Sequence, residues 1–74
     1  MIIRKILGEN GPQTKLCKGG MCPAAILTDG ENAYVQGYAL EAGEQEKLSA
    51  PVGEGFVRIP LSTLKKIAHQ VIEA

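Results

Sequence analysis

Ala24-Ala25-Ile26-Leu27-Thr28-Asp29-Gly30-Glu31-Asn32-Ala33-Tyr34-Val35-Gln36-Gly37-Tyr38 decides the fold, because two strand-like runs flank the turn-rich tetrapeptide Asp29-Gly30-Glu31-Asn32. Apolar and β-branched residues on both sides of such a turn predict an antiparallel hairpin. Successive strand residues point to opposite faces, so Ala33, Val35 and Gly37 are expected on one side and Tyr34, Gln36 and Tyr38 on the other, with the tyrosines side by side. A lone hairpin is marginal in water and needs more strands or a helix against it.

The flanks supply both. Upstream, Ile2 to Leu7 alternates Ile2, Arg4 and Ile6 with Ile3, Lys5 and Leu7, and its β-branched residues suit a further strand. Gly8 to Gly20 carries Asn10-Gly11-Pro12 and Lys18-Gly19-Gly20, which is turn chemistry and predicts a loop. Downstream, Glu41 to Leu48 can form one or two helical turns, weakened by Gly43 and crowded acids. Phe56-Val57-Arg58-Ile59 is expected as a short strand ending before Pro60. Beyond Pro60 the period changes: Leu61, Leu64, Ile67, Ala68, Val71 and Ile72 follow three-and-four spacing, with Lys65, Lys66, Gln70 and Glu73 elsewhere on the wheel. The prediction is an α+β fold, a small antiparallel sheet of three or four strands packed against a C-terminal helix.

Seventy-four residues fit a single small domain, 1–74, since chains of this size bury only roughly 60% of their unfolded surface and cannot fill a second core. The chain is 45% hydrophobic but has no Trp, and Phe56, Tyr34 and Tyr38 are its only aromatics, so its core is thin. Self-association, a crosslink or a metal would each stabilise so short a chain.

Net charge is zero, which removes the whole-molecule attraction that nonspecific nucleic-acid binding needs. The ends are basic, through Arg4, Lys5, Lys15 and Lys18 and through Arg58, Lys65 and Lys66; the middle is acidic, through Asp29, Glu31, Glu41, Glu44, Glu46 and Glu54. The opening Met1 to Leu7 contains two charges and stops at Gly8, too short for a signal h-region or a membrane span. The expectation is a cytoplasmic protein with no membrane partner, in a compartment where cysteines are more often free thiols or ligands than structural disulfides.

Cys17-Lys18-Gly19-Gly20-Met21-Cys22-Pro23 separates two thiols by four residues, two of them Gly. Such a pair can hold a metal, cycle as a redox disulfide favoured by Lys15 and Lys18, or serve as small hydrophobes beside a glycine turn. Zinc at Cys17 and Cys22 needs two more ligands, and the chain has one histidine, His69, and no second cysteine pair; two chains in a symmetric dimer would supply four thiolates. No Ser or Cys is tied to His69 by a local motif, and neither glycine-rich segment has phosphate-loop spacing. The Tyr34, Gln36 and Tyr38 stripe, with Arg58 on a neighbouring strand, is a candidate contact surface; the surrounding acids argue against a nucleic-acid backbone there.

Cys17-x4-Cys22-Pro23, Thr28-Asp29-Gly30, Val35-Gln36-Gly37-Tyr38, Pro51-x-Gly53-Glu54 and Val57-Arg58-Ile59-Pro60 together resemble a group of small uncharacterised bacterial proteins. The resemblance spans Cys17 to Ile59 and implies a bacterial, cytosolic, stand-alone domain; it carries over no catalytic residue. With no catalytic constellation in the sequence, the expected function is a non-enzymatic protein-interaction or regulatory module that binds a protein partner or itself as a homodimer. The alternative is a thiol-based redox or metal-binding protein acting through Cys17 and Cys22.

Overall fold

A computed structural model describes residues 1–9, 11–12 and 23–73 of the chain. Most of the expected Gly8 to Gly20 loop, and both Cys17 and Cys22, lie outside the described residues. The elements are β1 (Ile3–Gly8), β2 (Ala24–Thr28), β3 (Ala33–Gln36), α1 (Ala42–Lys47) and α2 (Leu61–Glu73). The three strands form one antiparallel sheet in the order β1-β2-β3, and α2 packs against β1 and, to a lesser extent, β2.

The hairpin forms where its turn residues dictate. Thr28 Oγ1 accepts from the Gly30 amide at 3.2 Å and donates to the Asn32 carbonyl at 3.1 Å, closing the Asp29 to Asn32 turn with a side chain. Asp29 also anchors the start of β1: its amide donates to the Ile2 carbonyl at 3.0 Å, and its Oδ1 accepts from the Ile2 amide at 2.9 Å. The β1 register shifts between Ile3 and Lys5, a bulge-like irregularity at Arg4.

Directly paired residues share a face. Leu7, Ala25 and Val35 form one cross-strand row, and Ile6, Ile26 and Tyr34 form a row on the opposite face. On the first face Leu7, Ala25 and Ile67 of α2 make the core cluster, with Leu27 and Ile59 packed against it. Val35 lies in the same row as Leu7 yet is exposed, because α2 does not reach β3.

The expected strand at Phe56–Ile59 is reduced to a single bridge. Tyr38 and Arg58 exchange two backbone hydrogen bonds, Tyr38 amide to Arg58 carbonyl at 2.8 Å and Arg58 amide to Tyr38 carbonyl at 2.9 Å. Continuing that register would place Pro60 opposite Gln36, and proline has no amide to donate. Instead the Pro60 carbonyl accepts from the Leu64 amide at 3.1 Å and opens α2. Gly37 permits this close approach: a Cβ there would lie 2.8 Å from both the Arg58 carbonyl oxygen and Ile59 Cγ2, and 3.0 Å from Val57 Cγ2.

Candidate functional site

Helix α2 is turned away from the orientation its apolar pattern predicts. Thr63 and Ile67 are buried at 1% and 7% exposure, whereas Leu61 is 67% exposed, Leu64 48%, Val71 46% and Ile72 83%. At roughly 100° per residue, Thr63, Ile67 and Gln70 occupy one arc of roughly 60° and face the sheet. Val71, Leu64, Ala68, Leu61 and Ile72 fill the adjoining arc of roughly 100° and face outward. The helix is thus rotated by roughly 100° from the position that would centre its apolar stripe on the core.

Polar contacts explain the rotation. The Gln70 side-chain amide meets the backbone of Gly8 as a neighbouring strand would: the Gly8 amide donates to Gln70 Oε1, and Gln70 Nε2 donates to the Gly8 carbonyl, both at 2.9 Å. Gln70 Nε2 also reaches the Gly11 carbonyl at 3.5 Å. Gly8 is buried and has a positive φ of 148°, and a Cβ on it would come within 2.8 Å of the Pro23 carbonyl oxygen. The Gly8 carbonyl also accepts from the Gly11 amide at 3.2 Å, so without Gln70 it is the Gly8 amide that would lose its partner, and buried backbone groups are almost always paired.

One and two turns earlier on α2, at Lys66 and Thr63, Glu9 makes the second attachment. Its Oε1 accepts from the Thr63 hydroxyl at 2.7 Å, and its Oε2 pairs with the Lys66 ammonium. The Lys66 hydrogen bond first, and the Thr63 hydroxyl second, hold the Glu9 carboxyl below the usual carboxylate range, against a smaller desolvation effect in the other direction. A hydroxyl held by a carboxylate beside an ammonium has the parts of an activated nucleophile. Here the oxygen belongs to a residue only 1% exposed, so no substrate reaches it and the group acts as a clamp.

The predicted contact surface is divided. Tyr34 and Gln36 are exposed on one face of β3. Tyr38 lies beyond the end of β3 and is half-buried, with the Arg58 guanidinium 5.4 Å from its ring centroid. Arg58 Nη1 also reaches Glu41 Oε1 at 3.4 Å and Glu44 Oε1 at 3.2 Å, and Glu44 Oε1 accepts from the Glu41 amide at 2.8 Å. Arg58 therefore ties α1, which buries no residue of its own, to the Tyr38 bridge. Its charge is already engaged with two carboxylates.

His69 lies on the outer side of α2, paired with Glu73 at 2.9 Å. Among the described residues no three His, Cys, Asp or Glu side chains converge as a metal site, and the thiols of Cys17 and Cys22 lie outside those residues. No described helix is long and apolar enough to cross a membrane. The outward apolar arc of α2 is the feature that periodicity assigned to the core; Glu9, Thr63 and Gln70 are the residues that sequence reasoning missed. A Thr and a Gln seven residues apart on the margin of an amphipathic helix were the only signal, and it is not specific. Comparison with protein-family models, curated proteins and solved structures returned no match.

Proposed function

We propose that this chain is a non-enzymatic protein-interaction or regulatory module, cytosolic and bacterial, that binds a protein partner or a second copy of itself. The observation that carries the reading is the outward face of α2, where Leu61, Leu64, Val71 and Ile72 are all exposed while a polar clamp fixes the opposite side. Contiguous apolar surface of this kind on a small domain marks an interaction site. The exposed Tyr34 on β3 offers an additional contact of the amphipathic type that interfaces favour.

The test is native mass spectrometry of tagged chain recovered from its host without reductant or chelator. A stoichiometric second polypeptide, or a second copy, that is lost in Leu64→Glu supports the module. A chain recovered alone and carrying zinc or a Cys17–Cys22 disulfide, either of which Cys17→Ser and Cys22→Ser abolish, would transfer the function to the thiol pair.

A further inference from the structure

Helix α2 has two faces that can each seat on the sheet, and the seated one is the less apolar. It offers one large hydrophobic, Ile67, beside Thr63 and Gln70, while Leu61, Leu64, Val71 and Ile72 stand exposed. What favours this seating is polar: Gln70 on the Gly8 backbone, and Thr63 and Lys66 on the Glu9 carboxylate. These contacts also fix which way the exposed arc points. Gln70 meets β1, the outer strand of the sheet, and Ile67, roughly 60° further round the helix, packs on Leu7 of β1 and Ala25 of β2. Val71 and Leu64 follow within roughly another 60°, on the side toward β3. There Val35, in the row of Leu7 and Ala25, is exposed.

A roll of roughly 100° about the helix axis lifts Gln70 and Thr63 off the end of β1 and lowers Leu64, Ala68 and Val71 onto the sheet. That roll buries no charge. The apolar stripe from Ile67 to Ile72 spans roughly 140° of the wheel; Lys65, the nearest charge, stands roughly 90° from its centre, and Lys66, His69 and Glu73 lie further round. The receiving residues Leu7, Ala25 and Leu27 are all apolar, and Ile67 stays at the margin of the buried stripe.

From this we infer that α2 is a latched element with two docked positions: one that displays the apolar arc, held by the Gly8–Gln70 and Glu9–Thr63–Lys66 contacts, and one, rolled, that buries the arc in the chain's own core. The two balance polar bonds at β1 against apolar area removed from water, so loss of the former shifts the population toward the latter. Resting on the interaction-module reading, the roll is its off switch: the residues that would touch a partner become core residues, and release of the latch ends binding.

The unlatched full chain, Glu9→Ala/Gln70→Ala, decides it by methyl nuclear Overhauser contacts and urea unfolding. Leu64 and Val71 methyls should gain cross-peaks to Leu7 and Ala25 that the parent lacks. Leu64→Ala should lower the folding equilibrium constant at least about tenfold more in the unlatched chain than in the parent, where Leu64 is half exposed. Gln70→Ala alone, which keeps the Glu9 attachment, should show the same cross-peaks more weakly, and it decides the matter if the double variant does not fold. No new cross-peaks in either variant, an equal effect of Leu64→Ala in both backgrounds, or an α2 that loses amide protection without gaining contacts would each overturn the second position. A parent that loses a bound protein in Leu64→Glu, with no roll in the unlatched chain, would overturn the latch and leave the module reading standing; a roll in a chain that captures no partner would support the latch and remove the module.

Discussion

Replacing Gln70 with Ala should destabilise the domain more than replacing Leu64 with Ala, the reverse of what the amphipathic pattern of α2 implies. Gln70→Ala removes two 2.9 Å hydrogen bonds to the amide and carbonyl of Gly8, a buried residue. Each net bond is worth roughly 1 kcal/mol; the Gly8 carbonyl keeps the Gly11 amide as a donor at 3.2 Å, so only the Gly8 amide is left buried and unpaired, at a cost of about 1–3 kcal/mol. Some water will reach the vacated site, so the expected loss is about 2–3 kcal/mol, a fall in Tm of roughly 10–20 °C for a domain of this size. Alanine is the better helix former, so propensity works against this loss and cannot produce it. Leu64 is already 48% exposed, so its truncation should cost less than about 1 kcal/mol. Urea unfolding followed by circular dichroism, at concentrations where the chain is monomeric, gives both values. A larger loss for Leu64→Ala than for Gln70→Ala would refute the clamped orientation of α2.

Gly37→Ala places a Cβ 2.8 Å from the Arg58 carbonyl oxygen and should cost roughly 1–3 kcal/mol by overpacking. Gly43→Ala on α1, with nothing within 4 Å, should stabilise by about 0.5–1 kcal/mol; the same urea melts check both. The depressed Glu9 carboxyl contributes stability above its unfolded pKa, about 4.3 for a glutamate, that is lost as pH falls through its lower folded value. Glu9→Gln should therefore flatten the loss of stability just below that pH, seen in melting temperatures measured from pH 7 down to pH 3. Arg58→Ala removes contacts to Glu41 and Glu44 that are largely solvent-exposed and should cost less than about 1 kcal/mol, while amide exchange in α1 rises.

The hairpin and its turn were legible because their determinants are local: Thr28, Asp29 and Gly30 close the turn with their own side chain and backbone. The sheet and C-terminal helix followed from periodicity alone. The Phe56–Ile59 strand was overextended because its pairing depends on which residue faces Gln36, and Pro60 holds that register position. The face that α2 buries was not legible, since Glu9 and Gly8 sit 54 to 62 residues from their partners Thr63 and Gln70. Moment arguments weigh apolar area and not the backbone groups a polar side chain can complete. Of the residues read as a contact surface, Tyr34 and Gln36 are exposed on β3, whereas Tyr38 is half-buried beside the Arg58 guanidinium, which also reaches Glu41 and Glu44.

Methyl-to-methyl nuclear Overhauser contacts in the full chain test the orientation of α2 most directly. The Ile67 methyls should show cross-peaks to Leu7 and Ala25, with whom Ile67 forms the core, and Leu64 and Val71 should show none to either. Cross-peaks from Leu64 or Val71 to Leu7 and Ala25, with Ile67 silent, would mean that the apolar stripe lies on the sheet and that no outward face is left for a partner.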